Sequence, residues 1–115
     1  MIGTLSLRFA GEPRHVTTAR SFAGSIARVL GLNEGSRQDI RLAVSELVTV
    51  AITAGVSGLT VVAELDGDTP TLRLETDATL PSIPAETSDL LGAIGRSVWS
   101  IDDPWVIRMG DAVDQ

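Results

Sequence analysis

The sequence has no cysteine and no lysine, and it contains a single histidine. Without cysteine, neither disulfide bonds nor thiolate metal sites can form, and one histidine cannot build a histidine metal cluster. Without lysine, the chain has no side chain for a Schiff base or for the phosphate contact of a P-loop. All nine basic residues are arginine, so any positively charged site must be built from guanidinium groups.

Long apolar runs are also missing. The chain of 115 residues is 43% hydrophobic, yet it has neither an 18-residue apolar segment nor a basic and then apolar N-terminus. We therefore expect no membrane span, no signal peptide and a cytoplasmic location. The length suits one domain over residues 1–115, built around one core of two layers.

Charge is spread unevenly along a chain whose net charge is −6. Residues 1–57 carry six arginines against four acidic residues, whereas residues 58–115 carry three arginines against eleven. A predominantly acidic surface repels phosphate backbones. The sequence therefore predicts that nucleic acid is not a partner.

The segment from Ser36 to Gly55 has the strongest periodic pattern and predicts the central helix. Ser36 is the predicted N-cap, Asp39 completes a capping-box-like pair with it, and Gly55 is a natural stop. Apolar residues recur at the spacing of three and four that forms one stripe along a helix. The stripe consists of Ile40, Ala43, Val44, Leu47, Val48 and Ala51.

The flanking segments predict a layer of strands and a layer of helices. Alternating apolar residues indicate strands, a period of three to four indicates helices, and a Gly-containing turn predicts a hairpin. The predicted elements are a strand at Thr4–Phe9, a helix at His15–Leu30, hairpin strands at Leu59–Leu65 and Thr71–Thr76, a helix at Ser88–Ser100, a strand at Pro104–Met109 and a frayed tail at 110–115. The order β-α-α-β-β-α-β predicts an α+β two-layer sandwich with a mostly antiparallel sheet.

The second half of the central helix resembles the N-box helix of the GHKL, or histidine-kinase-like, ATPase fold. It is most similar to bacterial anti-sigma-factor serine kinases, in which this helix reads roughly E-L-V-x-N-A-x-x-H-G. Two positions depart from that pattern, because Val50 replaces the Mg²⁺-binding asparagine and Ala54 replaces a basic residue or histidine. The matching residues are Glu46, Leu47, Val48, Ala51 and Gly55.

Position 50 is where the departure affects chemistry most. Glu46 lies four residues earlier on the same helix face, where a carboxylate and an amide could together serve a hydrated metal and a phosphate chain. Valine has no oxygen lone pair and would leave Mg²⁺ one ligand short. We expect Val50 to be buried against Leu80 or Ile83, so that apolar side chains partly fill the former cleft.

Two residues are candidates for a retained active site. Glu46 is the candidate catalytic residue, a base close to a γ-phosphate. The resemblance implies that Asp77 occupies the adenine-reading position of the D-x-G-x-G box, but Thr79 and Pro81 replace both glycines. The alternative is an ordinary surface glutamate and a turn aspartate, and these departures favour it.

The lid segment that the family places between Asp77 and Ser88 is short here, with two prolines and no glycine. The chain thus lacks three family features together, which are the metal-binding asparagine, the glycines of the nucleotide box and the glycine-rich lid. These losses indicate that the fold was kept while nucleotide chemistry was given up. No cofactor is expected.

The resemblance implies a regulatory protein-binding module of anti-sigma-factor type in bacterial signalling. Its partner would be a sigma factor, an anti-anti-sigma protein or another kinase-like domain, including a second copy of this chain. The binding surface would be the first strand and helix, or the edge of the hairpin. One alternative is an ATP- and Mg²⁺-dependent serine/threonine kinase that uses Glu46 as its base. Another is a small structural α+β domain.

Overall fold

A computed structural model of the chain describes residues 3–65, 69–94 and 103–110. Its element order confirms the predicted β-α-α-β-β-α-β arrangement, with one 3₁₀ turn added before the first helix. The elements are β1 (Thr4–Ala10), the 3₁₀ turn (Pro13–His15), α1 (Val16–Val29), α2 (Glu34–Thr53), β2 (Gly58–Glu64), β3 (Thr71–Glu75), α3 (Ala85–Ile94) and β4 (Val106–Arg108).

The four strands form one antiparallel sheet in the order β1-β2-β3-β4. Leu7 lies opposite Val61, and Val61 lies opposite Leu74, so apolar residues align across neighbouring strands. The hairpin strands β2 and β3 are both internal. The predicted use of a hairpin edge as a binding surface is therefore wrong, because β1 and β4 cover both of its edges.

The core lies between the inner face of this sheet and the helices. The apolar stripe of α2 is confirmed, since all six of its predicted members have no exposed surface. Leu59, Leu72 and Ile107 meet the helices from the sheet and are also fully buried or nearly so. Because side chains alternate between the faces of a strand, Arg8 and Thr60, which lie opposite each other on β1 and β2, are on the outer face of the sheet.

The start of α2 differs from the prediction. Its N-cap is Asn33 rather than Ser36, and the Asn33 side-chain oxygen accepts a hydrogen bond from the Ser36 backbone N–H at 2.9 Å. Ser36 is a buried residue inside the helix. The acidic residue of the first turn is Glu34, so the predicted pairing of Asp39 with a Ser36 cap is wrong. An asparagine in extended conformation can satisfy the free N–H groups of the first turn as well as serine can.

Both long helices end in the same way, and the stop predicted at Gly55 is confirmed. Gly31 and Gly55 have φ values of 76° and 90°, which glycine adopts at little cost. Leu32 N–H donates to the Ala27 carbonyl at 3.1 Å, and Val56 N–H donates to the Ala51 carbonyl at 3.2 Å. These bonds define Schellman motifs that turn the chain back toward the sheet.

The C-terminal elements are shifted from their predicted bounds. α3 begins at Ala85, directly after Pro84, so Ser88 lies within the helix rather than at its start. β4 is shorter than predicted, at three residues. The predicted continuation of the helix through residues 95–100 and nearly all of the predicted frayed tail lie outside the described residues. Within the described ranges, no helix has the length and apolar character needed to cross a membrane.

Candidate functional site

An open groove runs along the second half of α2, beside the stripe of buried residues. We call it the α2 groove. It has a volume of about 340 Å³, and its other wall is the segment 81–87. Glu46 and Val50 stand one helical turn apart on the same face and both line it, as the i, i+4 spacing predicts. The groove is also lined by Thr49, Thr53, Pro81, Pro84 and Thr87.

Val50 is half-buried, so the prediction that it is buried in a filled cleft is wrong. Leu80 and Ile83, its predicted packing partners, pack against the main core instead. The wall that faces Val50 comes from Pro81, Ser82 and Pro84. Because Leu80 and Ile83 pack against the core and do not line the α2 groove, the groove stays open.

Glu46 is also half-buried. Within the described part of the chain, its carboxylate makes neither an ion pair nor a side-chain hydrogen bond. The neighbouring Thr49 hydroxyl is already engaged, because it donates to the Ser45 carbonyl at 2.7 Å. Glu46 therefore presents an available hydrogen-bond acceptor to whatever enters the groove.

Asp77 lies elsewhere. Its side chain is 88% exposed and stands 3.7 Å from the Arg8 guanidinium, measured from Oδ2 to Nη2. Together with Thr60 and Thr76 it lines a separate depression of about 220 Å³. Arg8 and Thr60 lie on the outer face of the sheet, whereas the α2 groove lies on the helical side. The structure therefore does not bring the two sequence-predicted site residues together.

The comparison with protein families decides the relationship. A family model described as the histidine kinase-like ATPase domain matches residues 9–81. The chain belongs to the histidine kinase-like ATPase family. The match runs from the end of β1 to the first wall residue of the α2 groove, through both long helices and the hairpin. No curated protein matches the chain.

Members of a family named for an ATPase are expected to hold ATP and a divalent cation, and here the residues of the α2 groove would have to bind them. The α2 groove offers a single carboxylate, that of Glu46, with threonine and serine hydroxyls. Mg²⁺ prefers near-octahedral oxygen coordination, and Val50 supplies no oxygen. Pro81 and Pro84 have no backbone N–H to give to a phosphate. The described ranges contain no cluster of three metal-ligating side chains. These residues do not fit Mg²⁺-ATP.

A larger groove, of about 620 Å³, lies between α1 and the first half of α2. It was not predicted from the sequence. Four of the nine arginines line it, and we call it the arginine groove. Its charged residues are Arg20, Arg28, Glu34, Arg37 and Arg41. A signal for this groove was present in the sequence. Arg37 and Arg41 have the i, i+4 spacing that places them on one helix face, and the preceding helix carries two arginines about two turns apart.

Among the described residues that line the arginine groove, Glu34 is the only acidic one. Glu34 accepts a hydrogen bond from Arg37 Nη2 at 2.5 Å and one from Gln38 at 2.9 Å. The Arg37 hydrogen bond is the main reason that the pKa of Glu34 lies below its ordinary value of 4.5. Gln38 and the charge of Arg37 lower the pKa of Glu34 further. One carboxylate is thus committed to Arg37, and three other guanidinium groups remain in the groove.

Proposed function

We propose that this domain is a regulatory protein-binding module of anti-sigma-factor type that has no ATP-dependent kinase activity. The observation that carries the proposal is the separation of Glu46 and Asp77 into two depressions on opposite sides of the sheet. A nucleotide cleft must bring a base-reading residue and a phosphate-side residue to one ligand. Membership of the family supplies the scaffold, and the resemblance to anti-sigma-factor kinases supplies the regulatory role.

The free edge of β1 supports protein binding. Among the described strands, β1 pairs only with β2. Leu65 N–H donates to the Gly3 carbonyl, and Gly11 N–H donates to the Ser57 carbonyl. Backbone groups point to alternate sides along an antiparallel strand, so those of Ser6 and Arg8 point away from β2. An extended segment of a sigma factor or anti-anti-sigma protein could add to this edge as a further strand.

One observation favours the enzyme alternative. The α2 groove is open, and its volume lies within the range of small-molecule sites, with the Glu46 carboxylate on its wall. A kinase using Glu46 as base would have to obtain its Mg²⁺ ligands from outside the groove. A structural domain without a signalling role is the third hypothesis, and it predicts neither nucleotide nor partner binding.

Calorimetric titration with Mg²⁺-ATP tests the proposal. We expect no binding tighter than about 1 mM, with no difference between the native chain and Glu46→Ala. Thermal unfolding with ATP, with and without Mg²⁺, is an independent check, because a ligand that binds the folded state raises Tm. A low-micromolar Kd or a Mg²⁺-dependent rise in Tm would contradict the proposal.

A phosphate-transfer assay separates the two regulatory hypotheses. The chain is incubated with radiolabelled ATP and candidate anti-anti-sigma proteins, and label on serine is measured. We expect no transfer above the level without the chain. Transfer that Glu46→Ala abolishes, while the fold is retained, would establish the kinase alternative.

A further inference from the structure

The arginine groove gathers positive charge on a chain whose net charge is −6. Arg20 and Arg28 of α1 are exposed, and neither forms an ion pair with another described residue. Arg41 also lacks an ion pair within the described ranges, and its side chain packs over Gly24, which leaves no room for a Cβ there. Among the residues that line the groove, the carboxylate of Glu34 stands against four guanidinium groups, so positive charge is in excess and favours an anionic ligand.

We propose that the arginine groove binds an acidic, extended segment of a protein partner. Guanidinium groups bind carboxylates through two parallel hydrogen bonds, which gives such a site geometric specificity as well as attraction. Thr17, Ser21 and Ser25 of α1 also line the groove, and their hydroxyls add neutral hydrogen-bond partners. This inference rests on the proposed protein-binding function and gives the chemistry of the partner.

The dimensions suit a short peptide. From Thr17 to Arg28 the groove follows α1 for about 16 Å, at 1.5 Å per helical residue. An extended chain rises about 3.3 Å per residue, so about five residues span this length. Every second side chain points to the same side of an extended segment. Alternating acidic residues would therefore present their carboxylates to the arginines together.

A protein segment is favoured over nucleic acid by the distribution of charge along the chain. Eleven of the fifteen acidic residues lie in residues 58–115, where only three arginines occur. This surplus repels a long polyanion, whereas a segment of five residues is confined to the groove. Glu34, held by Arg37 at one end of the groove, also disfavours a densely charged phosphate chain.

Fluorescence anisotropy with a labelled peptide that alternates Glu and Ser tests the inference. The matched probe alternates Gln and Ser. We expect only the acidic peptide to bind, with an affinity that falls as salt is raised. Arg20→Gln/Arg28→Gln should weaken binding at least about tenfold, whereas Arg20→Lys/Arg28→Lys should lose less, because charge is kept and only the planar fork is lost.

The control variant is Arg14→Gln/Arg108→Gln, which removes the same charge from two exposed arginines outside the groove. It should change the affinity less than about twofold. Equal loss in both double variants, tighter binding of single-stranded DNA or inorganic triphosphate, or no binding of the acidic peptide would overturn the inference. None of these results bears on Mg²⁺-ATP at the α2 groove, so the inference and the absence of kinase activity fail separately.

Discussion

At the scale of single residues, burial of the α2 stripe gives a prediction about stability. Leu47 is fully buried between the sheet and the helices. We expect Leu47→Ala to lower the free energy of unfolding by about 2 to 5 kcal/mol, since the methyl groups leave a cavity that the core cannot fill. Urea denaturation measures this loss.

The matched control is Leu90→Ala on α3, where the same substitution is made at a side chain that is 39% exposed. It should cost less than about 1 kcal/mol. If both substitutions cost the same, Leu47 does not occupy the position that the structure gives it.

Val50 leads to a second prediction at this scale. Because it is half-buried and borders an open groove, an amide there can bond to water. Val50→Asn should therefore change the free energy of unfolding by less than about 1 kcal/mol and should not by itself create Mg²⁺-ATP binding. Denaturation and calorimetry of this one variant measure both outcomes. A loss above about 2 kcal/mol would mean that Val50 is packed as a core residue.

Leu47 and Val50 differ in how well their burial could be predicted from the sequence. The burial of Leu47 follows from a period of three to four along one helix, and the sequence predicted it. Whether Val50 is covered depends on how the segment 80–84 orients its side chains. That segment has no period, and Leu80 and Ile83 could pack either against Val50 or against the core. The sequence suggested the groove, whereas the structure places them against the core.

At the scale of elements, the start of α2 gives a prediction. Asn33→Ala removes the oxygen that accepts the Ser36 N–H and should cost about 1 kcal/mol. Asn33→Asp keeps an acceptor oxygen at the same position and should retain most of the stability. Thermal denaturation of the two variants compares them. Equal stability of Asn33→Ala and the native chain would argue against this cap.

The order of elements was predictable, but some of their ends and neighbours were not. Asn33 and Ser36 are both good N-cap residues, and local preference cannot choose between them. Strand order across the sheet depends on long-range pairing. β4 joins the sheet beside β3, as Leu72 opposite Ile107 shows, and this pairing places the hairpin inside the sheet. No local pattern in the hairpin shows which strand will cover it.

At the scale of the whole molecule, the sequence predicted the α+β sandwich and the relationship to the histidine kinase-like ATPase family. The uneven distribution of charge along the chain was also visible in the sequence. The sequence did not predict the arginine groove, because Arg20 and Arg28 are brought to Arg37 and Arg41 only by the packing of α1 on α2. The sequence also did not predict that Glu46 and Asp77 lie apart, because this depends on which side of the sheet each residue faces.

The unpaired edge of β1 sets a condition on assembly. Two chains that met along this edge would join their sheets across a two-fold axis, since β1 can pair antiparallel with its own copy. That dimer would occupy the same backbone groups that an incoming partner strand requires. Self-association would then compete with binding of a partner strand at this edge. Dilution would dissociate the dimer and increase the fraction of chains able to bind a partner. Concentration itself would act as the regulator.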